Sequence, residues 1–172
     1  TKDMRFRYVD PPDVALKNLD LTDKGTFYVS EASGATDENG VTRRFTVRLS
    51  SQPDDGDSTT TTDNVTISVT SSDQGEGQIT HIDGITVVDG DNATLTFTST
   101  NWNAAQTVTV KGQWDNISDG DQSYAIWLLP DNFTKDMRFR YVDPPDVALK
   151  NLDLTDKGTF YVSEASGATD EN

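Results

Sequence analysis

Residues 95 to 126, LTFTSTNWNAAQTVTVKGQWDNISDGDQSYAI, decide the fold. Leu95 and Phe97 alternate with threonines, Val108 and Val110 alternate with Thr107 and Thr109, and Tyr124 and Ile126 resume the same period, continued by Leu128 with Trp127 on the other parity. Successive strand side chains point to opposite faces of a sheet, so each run reads as a strand with one buried and one wet face. The acidic stretch DNISDGDQ at 115 to 122 interrupts the pattern with Asp, Asn, Ser and Gly, the residues of a turn.

The same period extends outward. Phe27 with Val29, then Phe45, Val47 and Leu49, then Val65, Ile67 and Val69 each alternate with polar neighbours. Val147 and Leu149 begin a last segment after Pro144 and Pro145, although Asp146 can instead cap a short helix through Leu152. PDDGDSTTTTDN at 53 to 64, SSDQGEG at 71 to 77 and VDGDN at 88 to 92 supply further turns. The hydroxyl run at 58 to 62 reads as a mobile loop, with O-linked sugar as the alternative. About seven strands at this spacing predict an all-β, antiparallel, immunoglobulin-like sandwich.

Residues 1 to 39 recur without a change as residues 134 to 172, a period of 133 residues. That period matches an independently folding domain rather than a solenoid unit, so each period is expected to fold with its own core. The boundaries that follow are the end of a preceding repeat at 1–23, a complete repeat at 24–157 and the start of the next at 158–172. Such identity fits a homogenised tandem array, or a chain cut with an overlap around one complete unit.

Composition narrows the function. The chain of 172 residues has no cysteine and a single histidine, His81, so disulfides, thiolate chemistry and multi-histidine metal centres are excluded. With 14 Lys plus Arg against 29 Asp plus Glu, the net charge of −15 argues against nucleic acid and anionic membranes as partners. No apolar run approaches the roughly 20 residues that span a bilayer as a helix. The chain also begins inside a pattern, as expected of a piece of a longer protein.

Carboxylates crowd into the turns, while strand polar faces carry mostly Thr, Ser and Arg. Loops joining alternate strand pairs meet at one end of a sandwich. There DNISDGDQ, SSDQGEG, the end of the first strand and the exit NLDLTDKG at 151 to 158 can converge. Like charges about 4 Å apart repel by roughly 4 kcal/mol at an effective dielectric of 20, so such a cluster calls for a cation. Oxygen-only ligands at mixed spacing suit calcium, which takes 6–8 of them, better than magnesium or zinc. Against this stand the ordinary use of Asp in turns and the acidic surface of a salt-adapted protein.

The order YVSEASG, FTVRLSSQP, DNVTISVTSSDQGEG, LTFTSTNWNAAQTVTVKGQWDNISDGDQSYAI and DPPDVALKNLDLTDKG resembles Calx-beta-type repeats, particularly those arrayed in large bacterial surface proteins and adhesins. The resemblance covers nearly all of residues 24 to 157. It implies a seven-stranded sandwich that binds Ca2+ at one end. By the resemblance the ligand roles fall on Glu31 in the first strand, on Asp115, Asp119 and Asp121 in the acidic turn, and on Asp153 and Asp156 at the exit, with Asp73 reaching in from the SSDQGEG turn. The exit here, Asn-Leu-Asp-Leu-Thr-Asp-Lys, departs from the family's consecutive aspartates, which implies one or two weakly held ions. Asp20 and Asp23 are the corresponding exit residues of the preceding repeat.

Other features point less far. His81 has no nucleophile elbow or spaced partner around it, so no enzyme is expected. Asp54, Asp55 and Asp57 lack the Gly and terminal Glu of a helix-loop-helix calcium loop. Trp102, Trp114 and Trp127 suggest either a sugar platform or core and junction packing. Sequons occur at Asn64, Asn92, Asn116 and Asn132, about twice the chance expectation for a chain this rich in Ser and Thr. The expected role is a calcium-stiffened spacer repeat of a secreted or cell-surface adhesin, whose partners are neighbouring copies of the same repeat and whose surface ligand binds elsewhere. The alternatives are a self-assembled filament or surface-layer subunit with strand exchange, and a glycan-binding module.

Overall fold

The alternating segments close into two stacked sheets. The computed structural model describes residues 24–54, 64–87 and 93–154, together with Val162. Among them the elements in chain order are β1 (Phe27–Val29), β2 (Thr36–Asp37), β3 (Thr42–Leu49), β4 (Val65–Ser71), β5 (Gly77–Ile82), β6 (Ile85–Thr86), β7 (Ala93–Phe97), β8 (Gln106–Gly112), β9 (Gln122–Pro130), α1 (Met137–Arg140) and β10 (Val147–Leu152). One sheet runs β1-β3-β8-β5-β6 and the other β2-β10-β9-β4-β7.

Ladders are antiparallel except where β2 lies parallel to β10, Thr36 opposite Asn151 and Asp37 opposite Leu152. The chain thus leaves the first sheet after β1 and joins the second at β2. It changes sheet again at every later connection except β5 to β6 and β9 to β10. The architecture is an all-β, immunoglobulin-like sandwich.

The inward parity supplies the core. Phe45, Val47 and Leu49 from β3, Val65, Ile67 and Val69 from β4, Leu95 and Phe97 from β7, Val108 and Val110 from β8, and Ile126 and Leu128 from β9 are all buried. Fully burying an aliphatic or aromatic side chain stabilises by about 1.5–3 kcal/mol, so this shared interior is the main force holding the sheets together.

Two features go beyond the sequence pattern, and the choice between strand and helix for the last segment is decided. GQITHIDGI at 77 to 85 forms the hairpin β5–β6, turned by Asp83 at φ 47 and Gly84 at φ 80, the left-handed pair that a two-residue hairpin needs. The last segment is a strand, and Asp146 caps no helix there; its Oδ1 accepts from Leu128 N at 3.0 Å. A single helical turn, α1, sits between β9 and β10, and its Phe139 plugs the core edge-on to Phe27 at 5.4 Å.

That turn is fastened at several points. Asp136, buried at 1% exposure, caps it by accepting from Arg138 N at 2.9 Å, and also accepts from Asp54 N at 2.9 Å. Its charge is paired with the Arg138 guanidinium at 2.7 Å, which reaches on to Gln52 O at 2.8 Å. Gly25 N donates to Arg138 O at 3.0 Å, and a Cβ at Gly25 would overlap the Phe139 ring. The start of the sandwich is therefore locked onto α1. Residues 1–23, and 158–172 apart from Val162, lie outside the described residues, as do the hydroxyl run and the VDGDN turn.

Candidate metal centre

At the end away from α1, β4 turns into β5 and β8 into β9. In the first turn Ser71 Oγ donates to Asp73 O at 2.9 Å and Gly77 N to the same carbonyl at 3.0 Å, while Asp73 Oδ1 accepts from Gly75 N at 2.9 Å. Asp73 thereby shapes the loop that carries Glu76. In the second turn Asp115 Oδ1 accepts from Ile117 N at 2.8 Å, and Asn116 at φ 65 and Gly120 at φ 81 bend the chain.

These turns bring Glu76, Asp115 and Asp119 together, with one carboxylate oxygen from each lying within 4.8 Å of the others. Oxygens on a shared calcium at about 2.4 Å can stand up to roughly twice that apart, so the spacing suits one ion bound between them. Three carboxylates supply part of the required shell, leaving positions for carbonyls and water.

The exit joins this cluster. Gly120 N donates to Asp153 Oδ2 at 3.0 Å, which ties the residue after β10 to the acidic turn. Asn151, buried at 1% exposure, donates through Nδ2 to Glu76 Oε2 at 3.2 Å and to Gln113 O at 2.8 Å. Its Oδ1 is buried without a hydrogen-bond partner and lies against Gly112, where a Cβ would overlap it and Asp37 O. Tyr124 fills the layer beneath, its hydroxyl 3.0 Å from Thr36 Oγ1, with Gly77 leaving room for the ring.

Charge is unbalanced here. Burial, followed by Asp115, Asp73 and Asp119, raises the Glu76 carboxyl above its ordinary value against the opposing bond from Asn151. Burial also raises the Tyr124 hydroxyl, with Thr36 opposing and Glu76 adding to the rise. Lys150 lies 3.6 Å from Asp121 on the surface, and no other ion pair with an acid of these turns is found among the described residues.

The seven carboxylates expected as ligands therefore separate. Asp115 and Asp119 meet, Asp153 holds the turn beside them, Asp73 shapes the neighbouring loop, and Asp121 faces Lys150. Glu31 lies elsewhere, exposed beside Pro145, Asp146, Val147 and Ala148 near the start of β10. The reason is register: Ser30 N is bonded to Thr46 O, Thr46 is opposite Thr107, and Thr107 is roughly 16 Å of strand from Gly112 at the acidic end. Asp156 lies outside the described residues.

Glu76 is the cluster member that the sequence pattern does not single out, and its only signal is a carboxylate one residue before β5. The tryptophans share no platform: Trp102 packs against the core, Trp127 stands opposite Thr70 on the outer face of the second sheet, and Trp114 is exposed by the acidic turn. His81 pairs with Thr86 across the β5–β6 hairpin.

No family model and no curated protein sequence matches the chain. Among solved structures it is similar to the crystal structure of the apo-form Calx CBD1 domain at 12% identity over 76% of this chain and 97% of that chain, with a TM-score of 0.43. It is also similar to the ASH / PapD-like domain of human CEP192 (PapD-like domain 7) at 7% identity over 85% and 97%, with a TM-score of 0.40. The strand order and registers described above make the chain an immunoglobulin-like sandwich with an acidic loop cluster at one end.

Proposed function

We propose that residues 24–157 form one repeat of a long extracellular adhesin or surface protein, a structural spacer stiffened by calcium. The observation that carries this reading is the meeting of Glu76 with Asp115 and Asp119, the latter two in the turn that Asp153 fastens to the chain's exit. A cation held there neutralises the cluster and pins the departing strand, converting a flexible joint into a stiff one. Extracellular modules bind calcium at about 10⁻⁴ to 10⁻³ M, so at 100 times Kd one ion adds about 2.7 kcal/mol to the folded state. That is a large share of the 5–15 kcal/mol typical of a domain. The role needs positioning and no catalysis.

The test is thermal melting and small-angle scattering with calcium and with chelator. Chelation is expected to lower Tm and to loosen the exit, and Asp119→Asn to mimic it; unchanged melting and scattering in both cases contradict the reading. A second reading rests on the identity of residues 14–19 with β10, VALKNL in both, since either copy can pair with β9. Strand exchange would then build filaments. Removing residues 1–23 leaves a folded monomer under the spacer reading and abolishes assembly under the filament reading.

A further inference from the structure

The two ends of the sandwich differ in a way that bears on how successive repeats meet, if they follow one another as in the spacer reading on which this inference rests. We infer that the α1 end of each repeat docks directly onto the acidic end of the repeat before it. The partner surface is thus a second copy of this same unit, and the junction is a contact as well as a tether.

Chain length sets the first condition. β10 ends at Leu152, and Gly158 repeats Gly25, whose amide is held by Arg138 O at the α1 end. Asp153 to Lys157 lie between, a stretch that spans at most roughly 20 Å when fully extended. Asp153 is itself bonded to Gly120, which shortens the free length further. The following repeat must therefore present its α1 end close to the acidic turn, at the millimolar effective concentration of a short tether.

Both ends expose large apolar side chains. Phe133, Met137 and Tyr141 around α1 are 85%, 54% and 73% exposed. Charged groups of both signs surround them: Arg138 is paired with the buried Asp136, Lys135 and Arg140 lie in the same stretch, and Asp131 and Asp143 flank it. The opposite end exposes Trp114, Ile117 and Leu154 among Asp115, Asp119 and Asp121. Each end thus exposes apolar side chains within a polar rim, the composition of a specific interface.

The test uses a chain of two consecutive repeats, made possible by the absence of native cysteine. Ile117→Cys in the first repeat with Tyr141→Cys in the second is expected to form a disulfide about tenfold faster than Ile117→Cys paired with Thr94→Cys on the outer face of β7. Met137→Ser with Tyr141→Ser in the second repeat should lower the Tm of the two-repeat chain by a few degrees, about 2–4 °C, and leave a single repeat unchanged. Equal cross-linking rates and an unmoved Tm overturn the junction. Calcium titration of each repeat separates the two ideas: repeats that bind calcium yet cross-link without preference refute docking alone, and repeats that bind none refute the spacer reading.

Discussion

The α1 end and the acidic end solve the same problem, closing a sandwich, with opposite electrostatics. At the α1 end the buried carboxylate of Asp136 has an Arg partner and backbone donors, and Phe139 fills the interior. At the acidic end Glu76, Asp115 and Asp119 face one another, and the donors around them are Asn151 and backbone amides. The first end is complete with protein groups alone, whereas the second leaves negative charge for something outside the chain to balance. Stability at the acidic end should therefore depend on solution conditions, and at the α1 end it should not.

The largest effect should come from breaking the self-sufficient end. Asp136→Ala takes away the carboxylate that Arg138 and the Asp54 amide share, and removing one member of a buried pair typically costs 3–5 kcal/mol. Urea unfolding should show that loss equally with calcium and with chelator. Next comes the ion: chelation should remove about 2.7 kcal/mol if calcium is present at 100 times Kd, while leaving the calcium-independent penalty of Asp136→Ala unchanged. Tyr124→Phe should cost less, about 0.5–1.5 kcal/mol, by deleting the bond to Thr36.

The smallest effect is on pH dependence, and its sign is informative. Between the ordinary carboxylate value and the raised value of Glu76, the folded state binds more protons than the unfolded chain. Metal-free stability should therefore fall as pH rises through that window and stay lower above it. Calcium must displace the same proton, so its stabilisation should grow with pH across that window. Glu76→Gln should flatten both trends in melting curves taken across it.

Much of the fold is legible in the chain because a buried sheet face imposes period two on the residues that line it. Phe45, Val47, Leu49, Ile67 and Leu95 are assigned inward by that period alone, and all five are buried. The helical turn is not legible in this way, because four residues carry no period and its stability comes from Asp136 and Phe139 reaching distant partners. At the site, Asp115 and Asp119 share one turn and are expected together. Glu76 belongs to another turn, and only the register of β5 against β8, Gly77 opposite Gly112, brings it across. Glu31 illustrates the reverse: the register of β1 on β3, and of β3 on β8, sets it several residues short of the acidic end.

Calcium binding at the acidic end can be measured by calorimetric titration of calcium into the metal-free chain, alongside Glu76→Gln and Asp119→Asn. Saturable binding is expected in the extracellular-module range of about 10⁻⁴ to 10⁻³ M, weakened by both substitutions in proteins that remain folded. Absence of saturable heat together with an unmoved Tm at several millimolar calcium, or equal binding by the substituted chains, would contradict it.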